Sequence, residues 1–169
     1  LSATYRQASD YRADVATTDP DNRLLWRYPR RRLEAEAIRD AIMATSGGLD
    51  LSMGGTTLEY KDRQYVSNTA KRGGVDYDLP RRAVYIPVVR SSMYEVFQAF
   101  DLPDSSTPSG DRQASVVAPQ ALFMMNGKVM LTHSKKFAER LLERQDLDDA
   151  ARIRAAYEQA LARPPSPGE

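Results

Sequence analysis

One amphipathic stretch between a proline and a pair of glycines constrains the fold of this chain most strongly. Within residues 30–46, apolar side chains recur at intervals of three and four: Leu33, Ala37, Ile38, Ala41 and Ile42. That spacing places them on one face of an α-helix. Proline is favoured at the first helical position and glycine just after the last, so the sequence predicts a helix that begins directly after Pro29 and ends at Gly47-Gly48.

Three further helical segments are predicted in the second half of the chain. Ser92 and Glu95 have the spacing of a capping box, which predicts a short helix ending at Phe100. Residues 121–125 predict a compact apolar turn, and the helix expected after it carries an apolar stripe: Met130, Phe137, Ala138, Leu141 and Leu142. We expect these two to pack as a pair. Asp148 marks the start of a last helix, where an acidic side chain stabilises the positive end of the dipole.

Evidence for β structure is confined to the middle of the chain. Short strand candidates at 58–60 and 64–66 predict one hairpin, and the run at 82–89 predicts an edge strand because it contains Pro87. Residues 101–117 are rich in Ser, Pro, Gly and Asp and predict a mobile, solvated loop. The predicted fold class is therefore mainly α, an irregular helical domain with a small antiparallel β hairpin or sheet, α+β at the margin.

Composition excludes several functional classes. A length of 169 residues with 41% hydrophobic content suits one domain. Lys and Arg total 24 against 23 Asp and Glu, so no overall field attracts nucleic acid or an anionic membrane, and we expect no nucleic-acid partner. No apolar run approaches the roughly 20 residues that span a bilayer. The absence of cysteine excludes disulfides, Cys-ligated metals and covalent c-type haem attachment.

Both ends of the sequence resemble interrupted helices. The first residues have no cap of their own, as if a helix were ending there. Ser166 and Glu169 repeat the capping spacing with Pro167 at the first helical position, which predicts the start of another helix. We therefore expect residues 1–169 to form a single partial domain, the C-terminal part of a larger one.

The run at residues 21–41, DNRLLWRYPRRRLEAEAIRDA, is the most specific motif in the chain. Shorter motifs lie before and after it: residues 2–7, 53–55, 81–82 with Tyr85, 100–101, 117–122 and 160–165. In this order they span nearly the whole chain. On these residues the chain closely resembles an uncharacterised family, domain of unknown function 1553.

The resemblance implies an architecture and a location. Members of this family are typical of planctomycete-type bacteria and form the C-terminal parts of large exported proteins. They are joined to a companion domain and often to a cytochrome-c module, and some carry carbohydrate-binding modules. The resemblance implies an extracytoplasmic location, in the periplasm or at the cell surface, with companion domains of the same polypeptide as partners. It supplies no catalytic residues, and we expect no cofactor within this chain.

Four residues near the start of the first predicted helix form a candidate anion-binding site: Arg31, Arg32, Glu36 and Arg39. The planar guanidinium fork matches a sulfate, carboxylate or phosphate, and an anionic polysaccharide is one fitting partner. The alternative interpretation is ion pairing at the four-residue spacing within the helix, between Arg30 and Glu34 and between Arg32 and Glu36.

Candidates for catalysis are few. Tyr85, Glu95 and Asp101 could contribute to acid–base chemistry, with capping and turn formation as the alternative. His133, the single histidine, is predicted to pack on its helix between Met130 and Phe137, and no metal site is predicted.

Two functions follow from these observations. The first is a non-catalytic helical module that scaffolds or docks other domains of a cytochrome-linked, polysaccharide-related exported protein. The second is one wall of an enzyme active site for carbohydrate breakdown or oxidation, in a cleft lined by four residues: Arg32, Glu36, Tyr85 and Asp101.

Overall fold

The computed structural model describes residues 2–55, 77–89 and 92–169 of the chain. Within these residues the structure is mainly helical and contains no β-sheet, although Asp50 and Arg81 form an isolated parallel bridge. The helical elements are α1 (Ala13–Ala16), α2 (Ala35–Thr45), a 3-10 turn (Ala83–Tyr85), α3 (Glu95–Ala99), α4 (Ala118–Asn126), α5 (Lys128–Leu142) and α6 (Asp149–Leu161). The prediction of a mainly helical chain is confirmed.

Contacts group the chain into two compact units. Unit 1 is Leu1–Leu33 and contains α1, while unit 2 is Glu34–Glu169 and contains the other helices. The predicted count of one partial domain stays a prediction.

Helix α2 begins later than predicted. Its N-cap is Glu34, whose φ of −69° and ψ of 157° are extended, so the helix does not start directly after Pro29. The helix dipole gives a physical reason, because a first turn containing Arg30 to Arg32 would place three cations at its positive end. Starting at Ala35 instead places Glu36 in the first turn, where a negative charge is favourable.

The C-terminal end of α2 is where the sequence predicted it. Gly47 has a φ of +77°, and its N–H donates to the carbonyl oxygen of Ala44 at 2.9 Å. The N–H of Gly48 donates to the carbonyl oxygen of Met43 at 2.8 Å. These two bonds form a Schellman motif, which satisfies carbonyl groups that the last turn leaves without helical partners.

The predicted strand at 82–89 is wrong, since Ala83–Tyr85 form a 3-10 turn. Side chains of α2 bind the backbone groups that a strand would use for its ladder. Arg39 donates to the carbonyl oxygen of Arg81 at 2.8 Å, and the Asp40 carboxylate accepts from the N–H of Ala83 at 2.8 Å. The predicted hairpin at 58–60 and 64–66 lies outside the described residues.

The short helix before Phe100 is confirmed, but its predicted cap is wrong. Helix α3 begins at Glu95 with Tyr94 as N-cap, so Ser92 lies outside it. Burial of Tyr94 explains this start, because its ring stacks on Tyr77 with centroids 4.9 Å apart. The packing therefore overrides the capping box.

The helix pair predicted after residue 118 is confirmed. The apolar turn at 121–125 is part of the longer helix α4, which packs against α5 across Gly127. A side chain at Gly127 would place Cβ only 2.7 Å from the carbonyl oxygen of Phe123, which explains the glycine at this junction. Helix α6 begins after Asp148 as predicted, and the Asp148 carboxylate also caps it by accepting from the N–H of Ala151 at 2.8 Å. Residues 101–117 contain no helix.

The hydrophobic core lies in unit 2, among α2, the 3-10 turn, α3 and the start of α5. Its buried members are Ala35, Ala83, Ile86, Tyr94, Val96, Phe97, Phe100 and Val129. Edge-to-face contacts between aromatic rings join its parts, with centroids 5.2 Å apart for Tyr94 and Phe97 and 5.7 Å apart for Phe100 and Phe123. Most of α5 and all of α6 lie outside this core.

Candidate functional site

The first half of the most specific sequence motif and the two residues before it fold into a loop that is held by the side chains of Asp19 and Asn22. Asp19 is buried, and its carboxylate accepts from the N–H groups of Arg23 at 2.9 Å and Leu24 at 2.8 Å. The indole N–H of Trp26 donates to the carbonyl oxygen of Asp19 at 2.9 Å. The carboxylate and the backbone carbonyl of Asp19 thus hold residues 19–26 in a closed loop, and the two bonds to the carboxylate are typical of a turn built on Asp.

Asn22 and Arg27 close the loop a second time. The Asn22 amide donates to the carbonyl oxygen of Arg27 at 2.8 Å and accepts from its N–H at 3.2 Å. Asn22 and Leu25 have φ values of 55° and 54°. Asparagine tolerates this left-handed conformation, but for leucine it costs about 1–2 kcal/mol. The contacts of the loop must offset that strain at Leu25.

A cavity of about 350 Å³ opens on this loop within unit 1. It is lined by Pro20, Asp21, Asn22, Leu25, Arg27, Pro29 and Arg30. We call it the loop cavity. The guanidinium of Arg27 lies over two aromatic rings, 5.5 Å from the centroid of Tyr11 and 5.1 Å from that of Trp26. Arg30 donates from Nε to the Ser9 hydroxyl at 3.1 Å.

The four residues predicted as anion ligands have different environments. Arg31 and Arg32 belong to the non-helical segment of unit 1, whereas Glu36 and Arg39 belong to α2 in unit 2. Glu36 accepts from Arg112 at 2.9 Å, as does Glu34. The anion site formed by these four residues stays a prediction.

Arg39 is a buried structural residue, which the sequence did not indicate. Its side chain is fully buried, and its guanidinium donates to the carbonyl oxygens of Tyr77, Leu79 and Arg81. It also lies 3.2 Å from the carboxylate of Asp40. Arg39 therefore ties α2 to the segment 77–81. Burial raises the pKa of Tyr94, whose ring lies 5.9 Å from the Arg39 guanidinium.

The three catalytic candidates have different partners. The hydroxyl oxygen of Tyr85 accepts from the N–H of Gly54 at 3.0 Å, and the Arg81 guanidinium lies 4.6 Å from the centre of its ring. Asp101 accepts from the N–H and the hydroxyl of Ser115, both at 2.8 Å. Glu95 is an exposed residue in the first turn of α3. Their catalytic role stays a prediction.

His133 packs where its helix meets the end of α2. Its Nδ1 lies 2.7 Å from the hydroxyl oxygen of Ser46, a buried residue. Burial lowers the pKa of His133, and the positive charges of Lys136 and Arg39 lower it further. The predicted packing of this histidine on its helix is consistent with these contacts. No cluster of three or more potential metal ligands occurs among residues 2–55, 77–89 and 92–169.

Helices α4, α5 and α6 expose many large apolar side chains. Met125 is 70% exposed, Leu142 66% and Ile153 53%. Together with three others they form the set that we call the exposed apolar residues of α4–α6: Leu122, Met125, Leu131, Leu142, Ile153 and Leu161. None of the thirteen residues of α6, all of them described, is buried. A short helix in water depends on packing for most of its stability, so helices with such exposed apolar side chains receive little stabilisation from the rest of the described chain.

The comparison with known families identifies the chain. All of it, residues 1–169, matches the family described as Protein of unknown function (DUF1553). The chain belongs to this family. Comparison with curated proteins and with solved structures found no match. Across the described part of this family member, no helix combines the length and hydrophobicity needed to cross a membrane.

Proposed function

We propose that this DUF1553 chain is a non-catalytic interaction module that docks another domain of its own polypeptide through the exposed apolar residues of α4–α6. The observation that carries the proposal is that hardly any residue of α5 and α6 is buried. Both helices lie wholly within the described residues. Among the fifteen residues of α5 only Val129 is buried, and no residue of α6 is buried.

The positions of the exposed residues support docking along a helical face. On α5, Leu131 and Leu142 are eleven residues apart, which is close to three full turns and returns to the same side of the helix. On α6, Ile153 and Leu161 belong to a stripe with Tyr157 at intervals of four. Exposed apolar faces of this kind mark surfaces that bind another protein or domain.

The setting of the module is part of the proposal and rests on the family resemblance. It is an exported, extracytoplasmic polypeptide that carries cytochrome-c modules and acts in a polysaccharide-related system. The companion domain is the expected occupant, because it is covalently joined and so present at high effective concentration. A weakly stable pair of helices is then completed by packing within the same molecule.

The enzymatic alternative has less support. Its proposed cleft requires Glu36, Tyr85 and Asp101 to act together, and each of them has local contacts that account for its position. The docking function needs no such convergence. We therefore favour docking over a contribution to an active site.

Hydrogen–deuterium exchange tests the docking proposal. Exchange is measured for the chain alone and for the chain mixed with the companion domain of its own polypeptide, which is added as a separate protein. We expect the amides of α5 and α6 to become protected on addition, since packing would suppress their local opening. The double variant Leu142→Ser with Ile153→Ser should lose that protection while its circular dichroism stays helical.

The matched control is Val84→Ser, an equivalent change at a residue that is 71% exposed and lies outside α4–α6. In this variant the amides of α5 and α6 should become protected to the same extent as in the wild type. Unchanged exchange in the wild-type mixture would contradict docking of the companion domain. A concentration-dependent dimer that protects α5 and α6 would contradict it as well, because a second copy would then be the occupant.

A further inference from the structure

We propose that the loop cavity binds a small polar molecule through one oxyanion group, a carboxylate or a sulfate, held by Arg27 and Arg30. The site lies within unit 1 and does not depend on the docking function. It also differs from the anion site predicted at Arg31, Arg32 and Arg39. The argument rests on the size of the cavity, its charges and the conformation of the loop that forms it.

The size and lining of the cavity suit a small ligand. Its volume of about 350 Å³ lies at the lower end of the range of ligand pockets, roughly 300–1,000 Å³. Pro20, Leu25 and Pro29 give it apolar walls, of which the two prolines are conformationally rigid. The other four lining residues are polar or charged, so the cavity suits a polar ligand rather than an apolar one.

The charges of the lining residues select the ligand. Arg27 and Arg30 contribute two positive charges and Asp21 one negative charge. A single oxyanion balances this sum, and the planar guanidinium fork fits both carboxylate and sulfate. Asp21 can accept a hydrogen bond from a hydroxyl group on the remainder of the ligand. The class of ligand is therefore a hydroxylated monoanion.

Arg27 is positioned before any ligand arrives. Its guanidinium lies over the rings of Tyr11 and Trp26, and Asn22 fixes its backbone from both sides. Its Nε is buried and has no hydrogen-bond partner among the residues that the structure describes. A cation held by packing against rings loses little freedom on binding an anion.

The strained backbone of Leu25 is the second observation that points to a ligand. Its left-handed φ of 54° would suit glycine, yet the residue is leucine and its side chain lines the cavity. Strained positions cluster at ligand sites, where the surrounding contacts enforce them. In this site the strain places an apolar wall beside the two arginines.

Trp26 provides the readout, since it is the single tryptophan of the sequence and packs on Arg27. The full chain is titrated at low ionic strength with gluconate, sorbitol and inorganic sulfate while Trp26 fluorescence is followed. Gluconate and sorbitol share a hydroxylated carbon chain, but only gluconate has a carboxylate. We expect saturable binding of gluconate and none of sorbitol. Inorganic sulfate carries two negative charges and no hydroxyl group. Its competition with gluconate shows that the two arginines accept a sulfate oxyanion, whereas sulfate without effect restricts the site to hydroxylated monoanions such as gluconate.

Variants test which residues form the site. Arg30→Gln should weaken gluconate binding by about tenfold or more, the loss expected for a charge-assisted hydrogen bond. The control Arg23→Gln removes the same charge from an exposed loop residue outside the cavity lining and should change binding less than about twofold. Arg27→Lys keeps the charge but loses the planar stack on Trp26, and it should also weaken binding while the circular dichroism of the chain stays that of the wild type.

Three outcomes would overturn the proposal. The first is the absence of saturable binding by wild-type protein. The second is equal weakening by Arg30→Gln and Arg23→Gln, which shows general attraction to positive charge. The third is weakening by Arg31→Gln with none by Arg30→Gln, which assigns the anion to a different site.

Discussion

The hydroxyl oxygen of Ser46 lies 2.7 Å from Nδ1 of His133 and so joins the end of α2 to α5. The same hydroxyl donates to the carbonyl oxygen of Met43 at 2.9 Å. A serine hydroxyl has one hydrogen, and when that hydrogen is directed to Met43, the donor of the contact with Ser46 is the N–H at Nδ1 of His133. This contact is therefore compatible with both the neutral and the protonated ring, and pH acts on His133 through other groups.

We expect the protein to lose stability as the pH falls below the ordinary histidine pKa of 6.5. Burial and the charges of Lys136 and Arg39 lower the pKa of His133, although Asp78 partly opposes them. A lowered folded-state pKa means that the unfolded chain binds the proton more readily. The stabilisation is thus complete above pH 6.5 and is lost as the pH falls through the folded-state pKa.

Urea unfolding at a series of pH values between about 5 and 8 measures this dependence. The wild type and His133→Gln are compared, since glutamine keeps a donor but does not titrate. Most of the pH dependence in this range should disappear in the variant. Parallel curves for the two proteins would show that His133 is not the titrating group.

Replacing Arg39 should destabilise unit 2 more than replacing any surface arginine would. In Arg39→Met the carbonyl oxygens of Tyr77, Leu79 and Arg81 lose their donor while they remain close to the core. Removing one partner from a buried charged network costs about 3–5 kcal/mol of unfolding free energy. Denaturant unfolding followed by circular dichroism gives the value.

Arg140→Met is the matched control, because Arg140 is exposed and donates to the carbonyl oxygen of Thr45 at 2.9 Å. We expect that change to cost less than about 1 kcal/mol. Equal losses in the two variants would mean that the contacts of Arg39 with segment 77–81 do not contribute to stability.

Local signals in the sequence were sufficient where neighbouring residues decide the structure. The Gly47-Gly48 pair and Asp148 predicted helix termini correctly, because capping involves residues within one turn. The start of α2 and the segment 82–89 were predicted incorrectly. In the second case the deciding contacts come from Arg39 and Asp40, more than forty residues away, and nothing in their local pattern indicates these bonds.

The same distinction applies to the candidate sites. Asp19 and Asn22 are residue types that favour turns, but the loop cavity depends on which backbone groups their side chains bind. Arg112 was placed in a loop predicted to be mobile, and its ion pairs with Glu34 and Glu36 span more than seventy residues. A pattern read over one or two turns carries no information on such pairs.

Changing Ala162 to glycine should stabilise α6. Ala162 follows the helix with a left-handed φ of 55°, which costs an alanine about 1–2 kcal/mol. Glycine removes that strain but gains entropy in the unfolded chain, so the net gain should be about 0.5–1 kcal/mol. Ala160→Gly, an identical change within the helix, should instead cost about 0.5–1 kcal/mol. Thermal unfolding of both variants tests whether the signs are opposite, and two destabilised proteins would contradict the assigned conformation of Ala162.

A side chain at position 47 should destabilise the protein, whereas one at the neighbouring position 48 should have little effect. At Gly47 an added Cβ would lie 2.6 Å from Nη1 of Arg140, and its φ of +77° is unfavourable for alanine. At Gly48 the nearest atoms, the Ser46 hydroxyl and the His133 ring, are 3.5 and 3.6 Å away, which is ordinary contact.

We therefore expect Gly47→Ala to lower the unfolding free energy by about 1–2 kcal/mol, the cost of the left-handed conformation. Gly48→Ala should change it by less than about 0.5 kcal/mol. Urea unfolding of both variants provides the comparison. The double variant Gly47→Ala with Arg140→Ala separates the two causes, because it removes the contact and keeps the backbone strain. If the double variant recovers full stability relative to Arg140→Ala alone, the contact with Arg140 and not the left-handed backbone explains the glycine at position 47.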